Sequence, residues 1–328
     1  ILDTRVLPGN CMNCHSFNQN NPAEMIFHLR GKIGGTILSR NQIIQKINTK
    51  TRETNLNCVY PFWHPSGKYI AFSVNNIFQV FHSIDKKRIE VYDSESDVVV
   101  YDIDNQELIT NYLINSKGSF ETFPVFTPDG GSLIFCSAES KKMPDEYNHI
   151  KYNLCRISFN PNDGTFGREV DTLINFATIG RSISFPRVSP NGKYLMFTVS
   201  NYGNFSIWHK EADLYLLNLE TGVYKPIDII NTEDTESYHS WSSGSDWFVF
   251  SSRRQDGLYT RPFIAYIDKN GKAGKPFLLP QKDPDYYDNC LQSFNIPEFV
   301  IEKVGPNRQD MIKAIKSAGE NLTFEFRN

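Results

Sequence analysis

A sequence pattern that recurs about every 60 residues constrains the fold of this chain more than any other feature. Each copy carries a turn and then a short apolar run with a phenylalanine near its end. Self-similarity at a fixed period is the signature of an architecture built from repeated units. The four copies span residues 61–73, 124–136, 186–198 and 239–251, and their last phenylalanines are Phe72, Phe135, Phe197 and Phe250.

The turns of the first three copies contain Pro-Ser-Gly, Pro-Asp-Gly and Pro-Asn-Gly, at Pro65–Gly67, Pro128–Gly130 and Pro190–Gly192. Proline presets φ and glycine accepts a positive φ, so these triplets predict tight turns between two strands. A third strand follows, as in residues 213–222, and then a fourth, outer one, as in residues 108–113. Four strands per repeat predict an all-β chain folded as a β-propeller of four-stranded blades.

The number of blades depends on the two ends of the repeat region. Strand-like pieces at residues 25–55 and 285–300 add two partial copies to the four full ones. The sequence therefore predicts six blades, with five and seven as alternatives. The expected organisation is an N-terminal arm (1–30), a propeller (31–305) and a C-terminal helix with a closing or edge strand (306–328).

Charge and hydropathy exclude some partners. The chain has 34 basic and 37 acidic residues and a net charge of −3, so no global field attracts nucleic acid. No apolar run approaches the roughly 18 residues of a membrane span. The sequence starts at Ile1 rather than at methionine, which we interpret as a processed or truncated product. Contact with a membrane is expected only through an anchor upstream of Ile1.

The main chemical motif is Cys11-Met-Asn-Cys14-His15, a C-x-x-C-H sequence. This spacing is the attachment signature of a c-type haem, in which Cys11 and Cys14 bond the vinyl groups and His15 is the axial ligand. Residues 22–30 are expected to form a helical turn that brings Met25 and His28 to one face as candidates for the distal ligand. The motif also fits a disulfide or redox-active pair, structural thiols, or an adventitious metal site.

Five further residues are expected near the channel of the propeller. Inner strands line that channel, and the histidines His64 and His239 recur at equivalent positions beside tryptophans. The alternative is that these histidines cap strand ends or bond neighbouring carbonyls. No metal other than haem iron is expected, and no known catalytic motif is present, so an enzyme is the less favoured class. The candidate channel residues are Trp63, His64, Arg187, His239 and Trp241.

The hairpin pattern followed by Asp-Leu-Tyr-Leu-Leu-Asn-Leu-Glu-Thr-Gly, best seen in residues 186–222, resembles the TolB-type, WD40-like (PD40) propeller repeat. The resemblance covers about residues 57–280. Residues 11–17 and 25–31 resemble the N-terminal region of Bacteroidetes envelope proteins that are commonly labelled cytochrome-c-biogenesis-like. These resemblances imply a periplasmic or outer-membrane-anchored lipoprotein, with Cys11, Cys14 and His15 as the haem-attachment residues.

Three functions follow as hypotheses. The first is an envelope propeller that carries haem c and acts with a redox partner in electron transfer or haem-linked assembly. The second is a non-catalytic TolB-like scaffold that binds a protein, peptide or glycan and leaves the C-x-x-C without haem. The third is a carbohydrate-active enzyme centred on the channel. Fold alone does not choose among them.

Overall fold

The computed structural model describes residues 7–81 and 89–327. Five antiparallel sheets follow one another along the chain, and each is a blade in which the first strand is innermost. The strands of the first two blades are β1 (Asn10–Asn18), β2 (Asn21–Gly31), β3 (Gly35–Arg40) and β4 (Ile43–Asn48), then β5 (Cys58–Trp63), β6 (Tyr69–Phe81), β7 (Ile89–Asp102) and β8 (Glu107–Thr110).

The other three blades repeat the same order. Three short 3₁₀ turns, at Tyr147–His149, Ala177–Ile179 and Ser206–Trp208, lie in their connections. The strands are β9 (Ser119–Phe126), β10 (Ser132–Glu139), β11 (Asn153–Asn160) and β12 (Thr165–Ile174), then β13 (Ser182–Val188), β14 (Tyr194–Ser200), β15 (Asp213–Asn218) and β16 (Tyr224–Pro226), and finally β17 (Glu236–Trp241), β18 (Trp247–Ser252), β19 (Arg261–Tyr266) and β20 (Phe277–Leu278).

The all-β propeller of four-stranded blades is confirmed, but the prediction of six blades is wrong, because the structure has five. The partial copy at the N-terminus gains an inner strand, β1, and becomes a complete blade. The partial copy at the C-terminus forms no sheet. Its residues 293–301 run extended beside the fifth blade, where the hydroxyls of Ser240 and Ser251 donate to the carbonyls of Pro297 and Phe294.

The segment predicted as an N-terminal arm contributes strands to the first blade from Asn10 onward, while residues 1–6 lie outside the described residues. Residues 22–30 belong to β2 and do not form the expected helical turn. In a strand, residues three apart point to opposite faces, so Met25 and His28 do not share one. The reason is pairing: β2 is hydrogen-bonded on both sides, to β1 and to β3.

The core lies between blades as well as within them. The repeat phenylalanines Phe72, Phe135, Phe197 and Phe250 all lie in second strands and are buried. One apolar cluster joins blades one and two, another joins two and three, and a third joins four and five. Burial of these side chains is the main force that holds neighbouring blades together.

The predicted C-terminal helix is present as α1 (Arg308–Lys316), and the side chain of Asn307 caps it by accepting from the Asp310 N–H at 2.9 Å. Met311 and Ile315 are buried against the first blade. Two short strands follow, β21 (Glu320–Asn321) and β22 (Thr323–Phe326), which pair in parallel with β4 and β8. The C-terminus thus covers the outer edges of blades one and two.

Across the described ranges 7–81 and 89–327, no helix has the length and apolar character needed to cross a bilayer.

Candidate binding site at the channel mouth

Every inner strand has a bulge at the same place. The pairing of the first strand with the second shifts register there in all five blades. The first residue of each bulge has a left-handed backbone although none is glycine, which is uncommon and marks a constrained position. These residues are Cys14 (φ 53°), Tyr60 (52°), Phe123 (51°), Phe185 (53°) and Tyr238 (48°), and Ile296 (53°) has the same conformation in the extended segment.

The bulge residues close the channel. Tyr60 packs on Phe123, Phe123 on Phe185, and Phe185 on Tyr238, with ring centroids 4.6, 5.4 and 5.0 Å apart. Cys14 is buried in the same cluster, and Ile296 packs against it. We call these six residues the plug. Because the plug fills the axis, the channel is not an open passage.

A cavity of about 240 Å³ lies beyond the plug, at the ends where the inner strands turn into the second strands. The volume corresponds to about eight water molecules at the density of the liquid. All five blades and the extended segment contribute to its wall. The lining residues are Ser16, Phe17, Asn18, Gln19, Asn20, Phe62, Trp63, Pro65, Phe126, Thr127, Pro128, Arg187, Val188, Pro190, Ser240, Trp241, Ser243 and Glu298.

A basic side chain, Arg187, and an acidic one, Glu298, lie in this wall. Arg187, which is 9% exposed, is held over the rings of Phe185 and Phe62. Burial raises the pKa of Glu298 to about 8, an effect that the charge of Arg187 only partly offsets. Glu298 lies 3.6 Å from His15, whose own pKa is lowered by burial. At neutral pH the charge of Arg187 is therefore poorly compensated by its protein neighbours.

Trp63 and Trp241, two of the predicted channel residues, border the cavity together with Arg187. Both tryptophans tie neighbouring elements together through their indole N–H groups. Trp63 donates to the carbonyl of Ser16 at 3.2 Å, and Trp241 donates to the carbonyl of Arg187 at 3.0 Å. Their rings are buried, so they shape the wall rather than offer open faces to a ligand.

The two predicted channel histidines bond carbonyls of the adjoining blade instead. Nε2 of His64 donates to the carbonyl of Gly130 at 3.1 Å, which leaves Nδ1 to accept from the Ser66 N–H. Nε2 of His239 donates to the carbonyl of Met196 at 2.9 Å, and burial lowers its pKa to about 3. Neither ring lines the cavity, so the structure does not bring the two histidines to one shared pocket.

The C-x-x-C-H motif lies in β1, within the first blade. Cys11 is exposed and faces Arg30 of β2 across the sheet. Cys14 belongs to the plug, is 6% exposed, and has a pKa raised by burial. Covalent haem requires both thiols and the histidine to reach the same porphyrin. The packed plug leaves Cys14 no space for this, so the residues of the folded chain do not fit a haem c.

The candidate distal ligands, Met25 and His28, are both buried in the first blade. Met25 is buried in the apolar cluster formed with Met311 and Ile315 of α1. His28 is buried with its Nδ1 3.1 Å from the hydroxyl oxygen of Thr36, and burial is the main cause that lowers its pKa to about 4. Both side chains have partners within the first blade and its covering helix.

The repeat pattern itself indicates that residues 14–17 belong to an inner strand. Cys14-His-Ser-Phe17 occupies the inner-strand place that Tyr238-His-Ser-Trp241 occupies in the fifth blade. An alignment that included residues 14–17 would have placed β1 in a blade. Glu298 was missed for a similar reason, because no repeat pattern marks the extended segment.

We expect no covalent haem on the folded protein when it is produced in a periplasm together with the c-type maturation machinery. A covalent haem would require β1 to leave the first blade. The measurement is a pyridine haemochrome spectrum after acid–acetone extraction, with a known c-type cytochrome matured in the same cells as the control. A c-type α-band on this protein would contradict the packing of Cys14 in the plug.

Comparisons with known proteins agree on the fold. No protein-family model matches the chain, and no curated protein sequence matches it. Among solved structures, a prolyl endopeptidase is 12% identical with a TM-score of 0.51, over 84% of this chain and 37% of that one. An oligogalacturonate lyase in complex with manganese is 12% identical with a TM-score of 0.50, over 84% of this chain and 68% of that one.

A TolB-type protein from Agrobacterium tumefaciens is 15% identical with a TM-score of 0.48, over 82% of this chain and 80% of that one. The chain spans little more than a third of the length of the endopeptidase. At these identities the likeness to the endopeptidase and the lyase shows a β-propeller fold and nothing about activity. The class that fold and site define together is a five-bladed β-propeller with a blind cavity at one mouth of its channel.

Proposed function

We propose that this propeller is a binding protein whose cavity takes up a short segment of a polypeptide partner. The observation that carries the proposal is the cavity itself, which is built by the inner-strand ends of all five blades and closed beneath by the plug. Concave sites with apolar walls and a few convergent polar groups are the usual places for ligands. The volume suits a few side chains and excludes a folded domain.

The chemistry of the rim supports a peptide. Prolines of the three Pro-x-Gly turns and the half-buried rings of Phe17 and Phe62 provide apolar contact. The side-chain nitrogen of Gln19 donates to the carbonyl of Pro65 at 2.8 Å, and the side-chain oxygen of this exposed residue can accept from a peptide N–H. A sugar has less to bind, because the two tryptophans are buried and their indole N–H groups are used within the protein.

Binding rather than catalysis is also supported by the histidines. The enzyme hypothesis relied on His64 and His239 at the channel, and both rings are engaged with carbonyls of adjoining blades. The resemblance to TolB-type envelope proteins adds a location, periplasmic or anchored at the outer membrane, which cell fractionation of the native host tests. The partner is then an envelope protein.

Affinity selection tests the proposal. Immobilised protein is incubated with a library of random N-acetylated octapeptides, half with a free C-terminus and half amidated, and retained peptides are identified by mass spectrometry. Ser243 is exposed at the rim, so Ser243→Trp places an indole in the mouth. We expect wild type to enrich peptides and Ser243→Trp to lower that enrichment by about tenfold or more, because the site is filled.

Gln255→Trp is the matched control. Gln255 is exposed in the same blade but follows β18, at the opposite end of the sheet. It should enrich the same peptides as wild type. Equal enrichment by wild type and Ser243→Trp, or no enrichment by wild type, would overturn the proposed function.

A further inference from the structure

The guanidinium of Arg187 has unused hydrogen-bonding capacity in the cavity wall. An arginine carries five N–H donors in a planar fork. Within the described part of the chain, its hydrogen bond goes from Nη1 to the carbonyl of Pro186 at 2.8 Å, and it forms no ion pair. Most of its donors are therefore available to a ligand that enters the cavity.

The same guanidinium is held in place by aromatic rings. Its central carbon lies 4.0 Å from the ring centroid of Phe185 and 5.2 Å from that of Phe62. Phe185 belongs to the plug and is fully buried, so one face of the fork rests on an immobile support. A fixed planar fork of this kind matches the two oxygens of a carboxylate.

Glu298 is the acidic side chain of the same wall. Its Oε2 is covered by protein atoms, has no hydrogen-bond partner among the described residues and lies 3.6 Å from Nε2 of His15, while the backbone N–H of Phe17 donates to the same carboxyl group. An orphaned buried oxygen is uncommon in folded proteins. Because protein atoms cover this oxygen, it does not face the cavity, and the guanidinium of Arg187 is the charged group that a ligand in the cavity meets.

The cavity is blind because the plug closes it beneath. A polypeptide cannot thread through the channel, so the part that reaches Arg187 is either a chain end or a side chain. A cationic fork selects the carboxyl end over the amino end, since a free amine would be repelled. Capture of a C-terminal carboxylate by fixed donors is a recurrent mode of peptide recognition.

We infer that the ligand is the C-terminus of a polypeptide, with its free carboxylate on the Arg187 guanidinium. The inference rests on the proposed function and specifies its ligand. It requires no covalent step and no cofactor. It also explains why a charged side chain is kept in a nearly buried position at the centre of the site.

The test compares the two halves of the peptide library and then one enriched peptide made as the acid and as the C-terminal amide. We expect the acid to bind at least about tenfold more tightly than the amide, because amidation removes the charge-assisted pair. In Arg187→Gln this preference should be lost, and in Arg187→Lys it should be reduced, because a lysine keeps the charge without the fork. Thermal unfolding of each variant checks that it is folded.

Arg156→Gln is the control, since Arg156 is an exposed arginine of the third blade that pairs with Asp171 away from the cavity. It should keep the full preference for the acid. Acid and amide peptides that bind wild type equally well, in a manner still blocked by Ser243→Trp, would overturn this inference and leave the proposed function standing. Enrichment of no peptide at all would overturn both.

Discussion

Replacing Phe185 by alanine is expected to lower the free energy of unfolding by about 3–5 kcal/mol. The ring is fully buried at the centre of the plug, between Phe123 and Tyr238. Its removal leaves a cavity that the neighbouring blades cannot fill, because their inner strands are fixed by sheet hydrogen bonds. Urea unfolding followed by tryptophan fluorescence measures the change.

Phe81→Ala is the matched control for this substitution. Phe81 is strongly exposed at the end of β6, and its loss should change the free energy of unfolding by less than about 0.5 kcal/mol. A comparably small effect of Phe185→Ala would contradict the packed plug. It would also remove the support that we assign to the Arg187 guanidinium.

Replacing Ile315 by aspartate is the second change with a large expected effect. It should lower the free energy of unfolding by about 4 kcal/mol. Ile315 is fully buried between α1 and the first blade, in one cluster with Met25 and Ile37. A carboxylate there is surrounded by apolar side chains, and the nearby Lys46 ammonium already bonds the carbonyls of Ile315 and Ile33, so the helix should detach and carry β21 and β22 with it. The outer edges of blades one and two would then be exposed, and exposed edges promote association between molecules.

Limited proteolysis and sedimentation velocity measure these outcomes. Ile315→Asp should be cleaved rapidly between the fifth blade and α1 and should form larger species. Lys316→Asp is the control, because it places the same charge on the exposed side of the helix. It should lower the free energy of unfolding by less than about 1 kcal/mol. If Ile315→Asp resists proteolysis as well as wild type does, α1 does not hold the C-terminal strands in place.

The repeated hairpins could be predicted because their causes are local. A Pro-x-Gly turn and a run of apolar residues specify two strands wherever they occur, and the phenylalanines of the four copies all lie in buried second strands. The helix near residue 310 was predictable on the same ground, from its cap residue and helical composition. The same turns, apolar runs and cap residue would form hairpins and a helix in many different folds.

The C-x-x-C-H motif shows the opposite case. Five residues matched a chemical signature, but their positions in space depend on a strand that pairs with β2 and a bulge that turns Cys14 into the plug. A left-handed backbone at a residue other than glycine is disfavoured locally and is imposed by the packing of all five blades. No local pattern predicts it. The number of blades escaped prediction likewise, because residues 285–300 resemble an inner strand and find no partner strands.

The sequence by itself determined an all-β propeller, its repeated turns, the second strands with their phenylalanines, and the helix near the C-terminus. These features depend on short-range conformational preferences and on alternation of apolar residues. Only the tertiary structure decided the five-bladed closure, the plug that includes Cys14, and the meeting of Arg187 with Glu298 in one cavity wall. Those features depend on contacts between residues more than fifty positions apart, whose geometry is fixed when the blades close around a common axis.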